Sequence, residues 1–90
     1  MSAPLRVTVL YFAILRERLG VERKTLDLSA GADVRAARAA IAARHPDIAP
    51  LLPRVATAVN RAIAAEAHPL ADGDELALIP PVAGGSWKRG

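Results

Sequence analysis

Cysteine is absent from this 90-residue chain, which excludes disulfides, thiolate metal sites and a cysteine nucleophile. Aromatic residues are scarce, one each of Phe, Tyr and Trp, so the core must be aliphatic and alanine-rich, and there is no platform on which bases could stack. No apolar run approaches the roughly 20 residues that span a bilayer. The opening MSAPLRVTV lacks the basic-then-apolar design of a signal peptide, so the expected location is cytoplasmic with no membrane partner. His45 and His68 are each followed by proline and stand apart from any carboxylate array, which argues for loop positions and no metal site. The net charge of +3 invites a nucleic-acid partner, but the arginines are scattered over the chain, and none is expected. Two of the positive charges, Lys88 and Arg89, lie beyond a Gly-Gly pair, and cutting there would bring the balance to +1.

What is present is 52% hydrophobic, enough for one core, in a chain so short that only about two thirds of its unfolded surface can be buried. Residues 5–12 alternate, with Leu5, Val7, Val9 and Tyr11 on one face and Arg6, Thr8, Leu10 and Phe12 on the other. This predicts a strand that turns apolar on both faces toward its end. Residues 13–19 favour a short helix that stops at Gly20, a residue suited to the left-handed turn past a helix end. Residues 22–28 alternate again and predict an edge strand. Asp33 is placed to cap a helix over residues 34–44 whose inward stripe is Val34, Ala37 and Ile41, with Pro46 ending it. Pro46, Pro50 and Pro53 confine residues 47–54 to turns, with a 3₁₀ piece at 48–52. A strand at 55–59, a turn at Asn60-Arg61 and a short strand at 62–65 follow. The order predicts an α+β domain, residues 1–82, with a mixed sheet of four to five strands wrapped over one main helix and short additional helices. Leu5, Val7, Val9, Val34, Ala37, Ile41, Leu76 and Leu78 should share its core.

The stretch 72–85, DGDELALIPPVAGG, is the most pointed part of the chain. Asp72-Gly73-Asp74 is turn chemistry, and residues 75–79 form a strand with Leu76 and Leu78 facing one way and Ala77 and Ile79 the other. Pro80 and Pro81 cannot donate to a ladder, so pairing stops there and the chain leaves as a stiff stalk. From Pro81 to Gly85 the reach is roughly 15 Å at ~3.3 Å per residue. A tail braced at its root and bare of side chains at Gly84 and Gly85 suits threading into a narrow channel on another protein. Residues 83–90 are read as an extended tail.

Three blocks, VTVLYFAILRERLG, VATAVN and HPLADGDELALIPPVAGG, together resemble the MoaD family, the small sulfur-carrying subunits of molybdopterin synthase. The last block is the specific one. The resemblance implies a ubiquitin-like β-grasp fold. It implies that the terminal glycine carboxylate, here Gly85, is adenylated at the expense of ATP by a MoeB-like activating enzyme and converted to a thiocarboxylate. It further implies delivery of that sulfur to cyclic pyranopterin monophosphate within a MoaE-like large subunit, in molybdenum cofactor biosynthesis. The carrier would bind no cofactor and would supply no catalytic side chains. Phe12, Arg16, Ile63 and Ile79 match family positions at the large-subunit interface. Family members normally end at Gly-Gly, whereas here Ser86-Trp87-Lys88-Arg89-Gly90 extends the chain, so a processing protease is expected to remove residues 86–90. Two alternatives are a sulfur carrier or ubiquitin-like modifier for another pathway, of cysteine or thiamine type, and a ubiquitin-like binding module without sulfur chemistry.

Overall fold

A computed structural model describes residues 4–81. In chain order the elements are β1 (Leu5–Tyr11), α1 (Ile14–Leu19), β2 (Arg23–Leu28), α2 (Val34–Arg44), a 3₁₀ helix (Ala49–Arg54), β3 (Ala56–Val59), β4 (Ala62–Ile63) and β5 (Glu75–Ile79). The strands form one sheet in the order β2-β1-β5-β3-β4. Only β1 and β5 run parallel; β1 with β2, β5 with β3 and β3 with β4 are antiparallel. The fold is therefore α+β with a mixed five-stranded sheet, and β2 is an edge strand as its alternation predicts.

One face of the sheet packs on α2. Val7 and Val9 of β1, Leu76 and Leu78 of β5, and Val34, Ala37 and Ile41 of α2 are all buried in a single cluster, closed at its ends by Leu15, Ile48, Leu52 and Leu70. Leu5, predicted to belong to the core, is only partly buried at its margin, because it opens β1 opposite the last residue of β2, Leu28. Asp33 caps α2 as predicted, its carboxylate accepting the Ala36 N–H at 2.9 Å. Gly20 adopts the left-handed conformation (φ 74°) that ends α1.

Several boundaries shift for local reasons. Strand β1 ends at Tyr11 rather than Phe12, and α1 begins at Ile14, because Ala13 takes φ 52°, ψ −126°, a region costly for any residue with a Cβ. The 3₁₀ helix covers Ala49–Arg54 rather than 48–52. It is held by Arg38 on α2, whose guanidinium donates to the carbonyls of Leu52 and Val55 and to Thr57 Oγ1. Strand β4 is shorter than predicted, although Ala64 N–H still reaches Thr57 O at 2.9 Å.

Candidate functional site

The sheet face turned away from α2 has an unusual composition. In register across all five strands lie Arg23, Leu10, Ala77, Ala58 and Ile63. Beside this row stand Phe12, just past the end of β1, and Ile79, opposite Ala56. Ala58 and Ala77 are sunk between larger neighbours and are almost fully buried, whereas Phe12, Ile79 and Ile63 are 42%, 39% and 72% exposed. Small residues in the middle and large apolar ones around them make a groove of about 400 Å³ lined by Leu10, Phe12, Ala58, Ile63, Ala77 and Ile79, with Arg23, Arg61 and Glu75 at its rim. A sheet face meant for water carries polar residues at such positions. An exposed apolar patch rimmed by charge marks a surface for an interaction partner.

The structure thus brings Phe12, Ile63 and Ile79 to one groove. Arg16, exposed on α1, lines an adjoining pocket with Leu10, Tyr11, Phe12, Glu22 and Arg23, so Phe12 is common to both. The period of residues 75–79 places Ala77 outward with Ile79 and the turn at Asn60-Arg61 is read, but that Ala58 joins Ala77 in a groove floor with Arg61 at its rim depends on the pairing of β3 with β5 and β4.

The motifs flanking the groove brace one another. Asn60, in the β3–β4 turn, donates from Nδ2 to Asp74 Oδ1 at 2.9 Å, and its Oδ1 accepts the Glu75 N–H at 3.0 Å. The other oxygen of Asp74 accepts the Ala71 N–H at 2.8 Å, while Asp72 Oδ1 accepts the Arg6 N–H at 2.8 Å. The start of β5 is therefore tied to both β1 and the β3–β4 turn. Pro80 is half-buried and Pro81, the last described residue, is exposed. Gly84, Gly85 and residues 86–90 lie outside the described residues.

Burial raises the Tyr11 phenol, opposed by Arg44, and the ring meets His45 edge-on at 6.2 Å. The hydrogen bond from Arg6, at 2.8 Å, holds the Asp27 carboxyl below its usual range. Among the described residues no three metal-ligating side chains gather, and no helix is long and apolar enough to cross a membrane.

A five-stranded mixed sheet over one helix, with an apolar outer face and a strand that ends in Pro-Pro, defines a ubiquitin-like β-grasp domain. The chain belongs to the ThiS family, whose pattern matches residues 9–85. It is 37% identical over 83 residues to the molybdopterin synthase sulfur carrier subunit of Chlamydomonas reinhardtii, spanning 90% of this chain and 100% of that one. With the protein of the same name from Mycobacterium tuberculosis it shares 38% over 82 residues, 90% of this chain and 99% of the other. Among solved structures, SAMP1 from Haloferax volcanii superposes with a TM-score of 0.80 at 31% identity, covering 89% of this chain and 99% of that one. The complex of subunits 1 and 2 of the molybdopterin-converting factor from Helicobacter pylori gives 0.65 at 29% identity, covering 90% and 100%.

Proposed function

We propose that this chain is the sulfur-carrying small subunit of a molybdopterin synthase and works in the cytoplasm. The observation that carries the proposal is agreement over essentially the whole length of chains bearing that name, from an alga and a bacterium. Gly85 is the acting end, a role supported by the family match running to that residue. A carboxylate is a poor electrophile until one oxygen becomes a leaving group, and a chain without cysteine must carry sulfur on its carbonyl carbon. The Gly85 carboxylate attacks the α-phosphorus of ATP on a MoeB-like enzyme and pyrophosphate leaves. Hydrosulfide released by a sulfur donor then displaces AMP from the acyl adenylate, leaving a thiocarboxylate. The charged tail enters a MoaE-like large subunit and gives its sulfur to cyclic pyranopterin monophosphate, the Gly85 acyl carbon being taken by water so that its C–S bond breaks and the carboxylate is restored. A protease removes residues 86–90 beforehand.

Phe12, Ile63 and Ile79, with Arg16 beside them, form the face that the large subunit covers. Their contiguity supports this, as does the Helicobacter pylori relative, a complex of subunits 1 and 2. Ile79 adjoins Pro80, so docking and aiming the tail are the work of one strand. The test is reconstitution. The chain ended at Gly85, charged as its thiocarboxylate and mixed with the large subunit and cyclic pyranopterin monophosphate, should yield molybdopterin, and no product would defeat the proposal.

A second function, as a ubiquitin-like modifier, is favoured by the likeness to SAMP1, a small archaeal modifier protein. Recovery of the chain from cells joined through Gly85 to lysines, together with failed reconstitution, would put this function in place of the first.

A further inference from the structure

The turn between β3 and β4 contains a residue that its conformation does not favour. Asn60 (φ 50°) and Arg61 (φ 76°) are both left-handed and join the paired residues Val59 and Ala62, as in a two-residue type I′ hairpin, where glycine is preferred at the second position. Asn60 is accounted for by its bonds to Asp74 and Glu75 and by the tolerance of asparagine for this region. Arg61 is not. Among the described residues its guanidinium forms no ion pair and no hydrogen bond, and its side chain is exposed at the rim of the apolar groove. A long cationic side chain kept in a strained turn without an internal partner points to a partner outside the fold.

Its setting says what kind. Arg61, in the turn that joins β3 to β4, and Arg23, on the edge strand β2 at the other side of the sheet, both line the groove. Between them the floor is apolar, and Glu75 is the one carboxylate lining it, with Glu22 in the adjoining pocket. A guanidinium at the edge of an apolar contact pairs best with a carboxylate, bidentately, and fixes register and encounter rate more than bulk affinity. Resting on the docking role of this face, we infer that Arg61 is a specificity residue. It meets an acidic side chain of the large subunit at the β4 edge and so sets the rotation in which the carrier docks.

Arg61→Gly separates this role from a structural one, because glycine suits the turn better than arginine. The variant should melt a few degrees above the parent, yet bind the large subunit about two- to fivefold more weakly, with slower association and a flatter dependence on salt. Arg61→Lys should recover part of the affinity and Arg61→Glu should lose more than Arg61→Gly. Unchanged affinity and salt dependence in Arg61→Gly, or a lower melting temperature, would overturn the assignment. Ile63→Asp in the same titration tells the two failures apart. If it weakens binding while Arg61→Gly does not, only the role of Arg61 falls. If neither variant weakens binding, or the parent chain does not bind, the docking face falls and Arg61 with it.

Discussion

Ile63 offers the sharpest test of the docking face, because most of it is left uncovered by the fold. It lies on the two-residue strand β4 and is 72% exposed. Full burial of an isoleucine contributes about 1.5–3 kcal/mol, so roughly 1–2 kcal/mol remains to be gained when a partner covers it. Phe12, at 42% exposure, has already used more than half of its burial inside the monomer and has only about 0.6–1.3 kcal/mol left to contribute. Ile63→Ala should therefore raise the Kd for the large subunit about 5- to 30-fold, and Ile63→Asp further, since a carboxylate would be desolvated against an apolar surface. Neither change should move the stability of the free chain by more than about 0.5 kcal/mol, as befits an exposed site. Calorimetric titration against the large subunit, paired with urea unfolding of the free chain, measures both quantities. Full affinity in Ile63→Asp would show that this face is not the dock, and unfolding of the free chain would show that Ile63 belongs to the core.

The interior supplies further expectations. Ile41→Ala, which empties a fully buried position between α2 and the sheet, should cost about 2–5 kcal/mol in urea unfolding; a loss no larger than at an exposed alanine site would contradict its placement. Burial raises the Tyr11 phenol, so the neutral form is favoured in the folded state. That stabilisation is complete below the unfolded value of about 10 and is lost as pH rises through the folded one. Tyr11→Phe should accordingly flatten the alkaline fall in stability, and tyrosinate absorbance of the single tyrosine should appear later in the native chain than in urea. Ala13→Gly should stabilise the fold by about 0.5–1 kcal/mol in thermal or urea unfolding, because the φ 52°, ψ −126° conformation no longer meets a Cβ; a loss of stability would refute strain at that position.

Much of the architecture was legible because burial here obeys simple periods. The alternation of residues 5–11 and 75–79, the stripe Val34, Ala37 and Ile41, the Asp33 cap and the Gly20 stop each act within a few residues, and each is found as read except at Leu5, which is only partly buried. The outward placing of Phe12 and Ile79 came from the same period. Ile63 was reached through family resemblance alone, since a two-residue strand has no period to read. Features invisible in the sequence depend on neighbours distant along the chain. Arg38 has the pattern of a solvated helix residue, yet its guanidinium is largely enclosed by the 3₁₀ helix and β3, 14 to 19 residues away. The bond between Asn60 and Asp74 spans 14 residues, so the AVN and DGDE motifs look independent until the sheet sets them side by side. The groove floor at Ala58 and Ala77 exists only because β3 and β5 pair in this register.

Sulfur transfer by this chain stands or falls on whether Gly85, freed of residues 86–90, carries the sulfur. Intact mass measurement after incubation with the activating enzyme, ATP and a sulfur donor tests this directly on two chains, one ended at Gly85 and one of 90 residues. The chain ended at Gly85 should gain the mass of one oxygen-to-sulfur exchange, and deletion of Gly85 should abolish that gain without altering stability. The 90-residue chain should stay unmodified until a protease removes residues 86–90, because its Gly85 carbonyl is held in a peptide bond and Trp87, Lys88 and Arg89 would have to enter a channel fitted to glycine. Equal charging of the uncut 90-residue chain, with molybdopterin formed from it, would contradict the account.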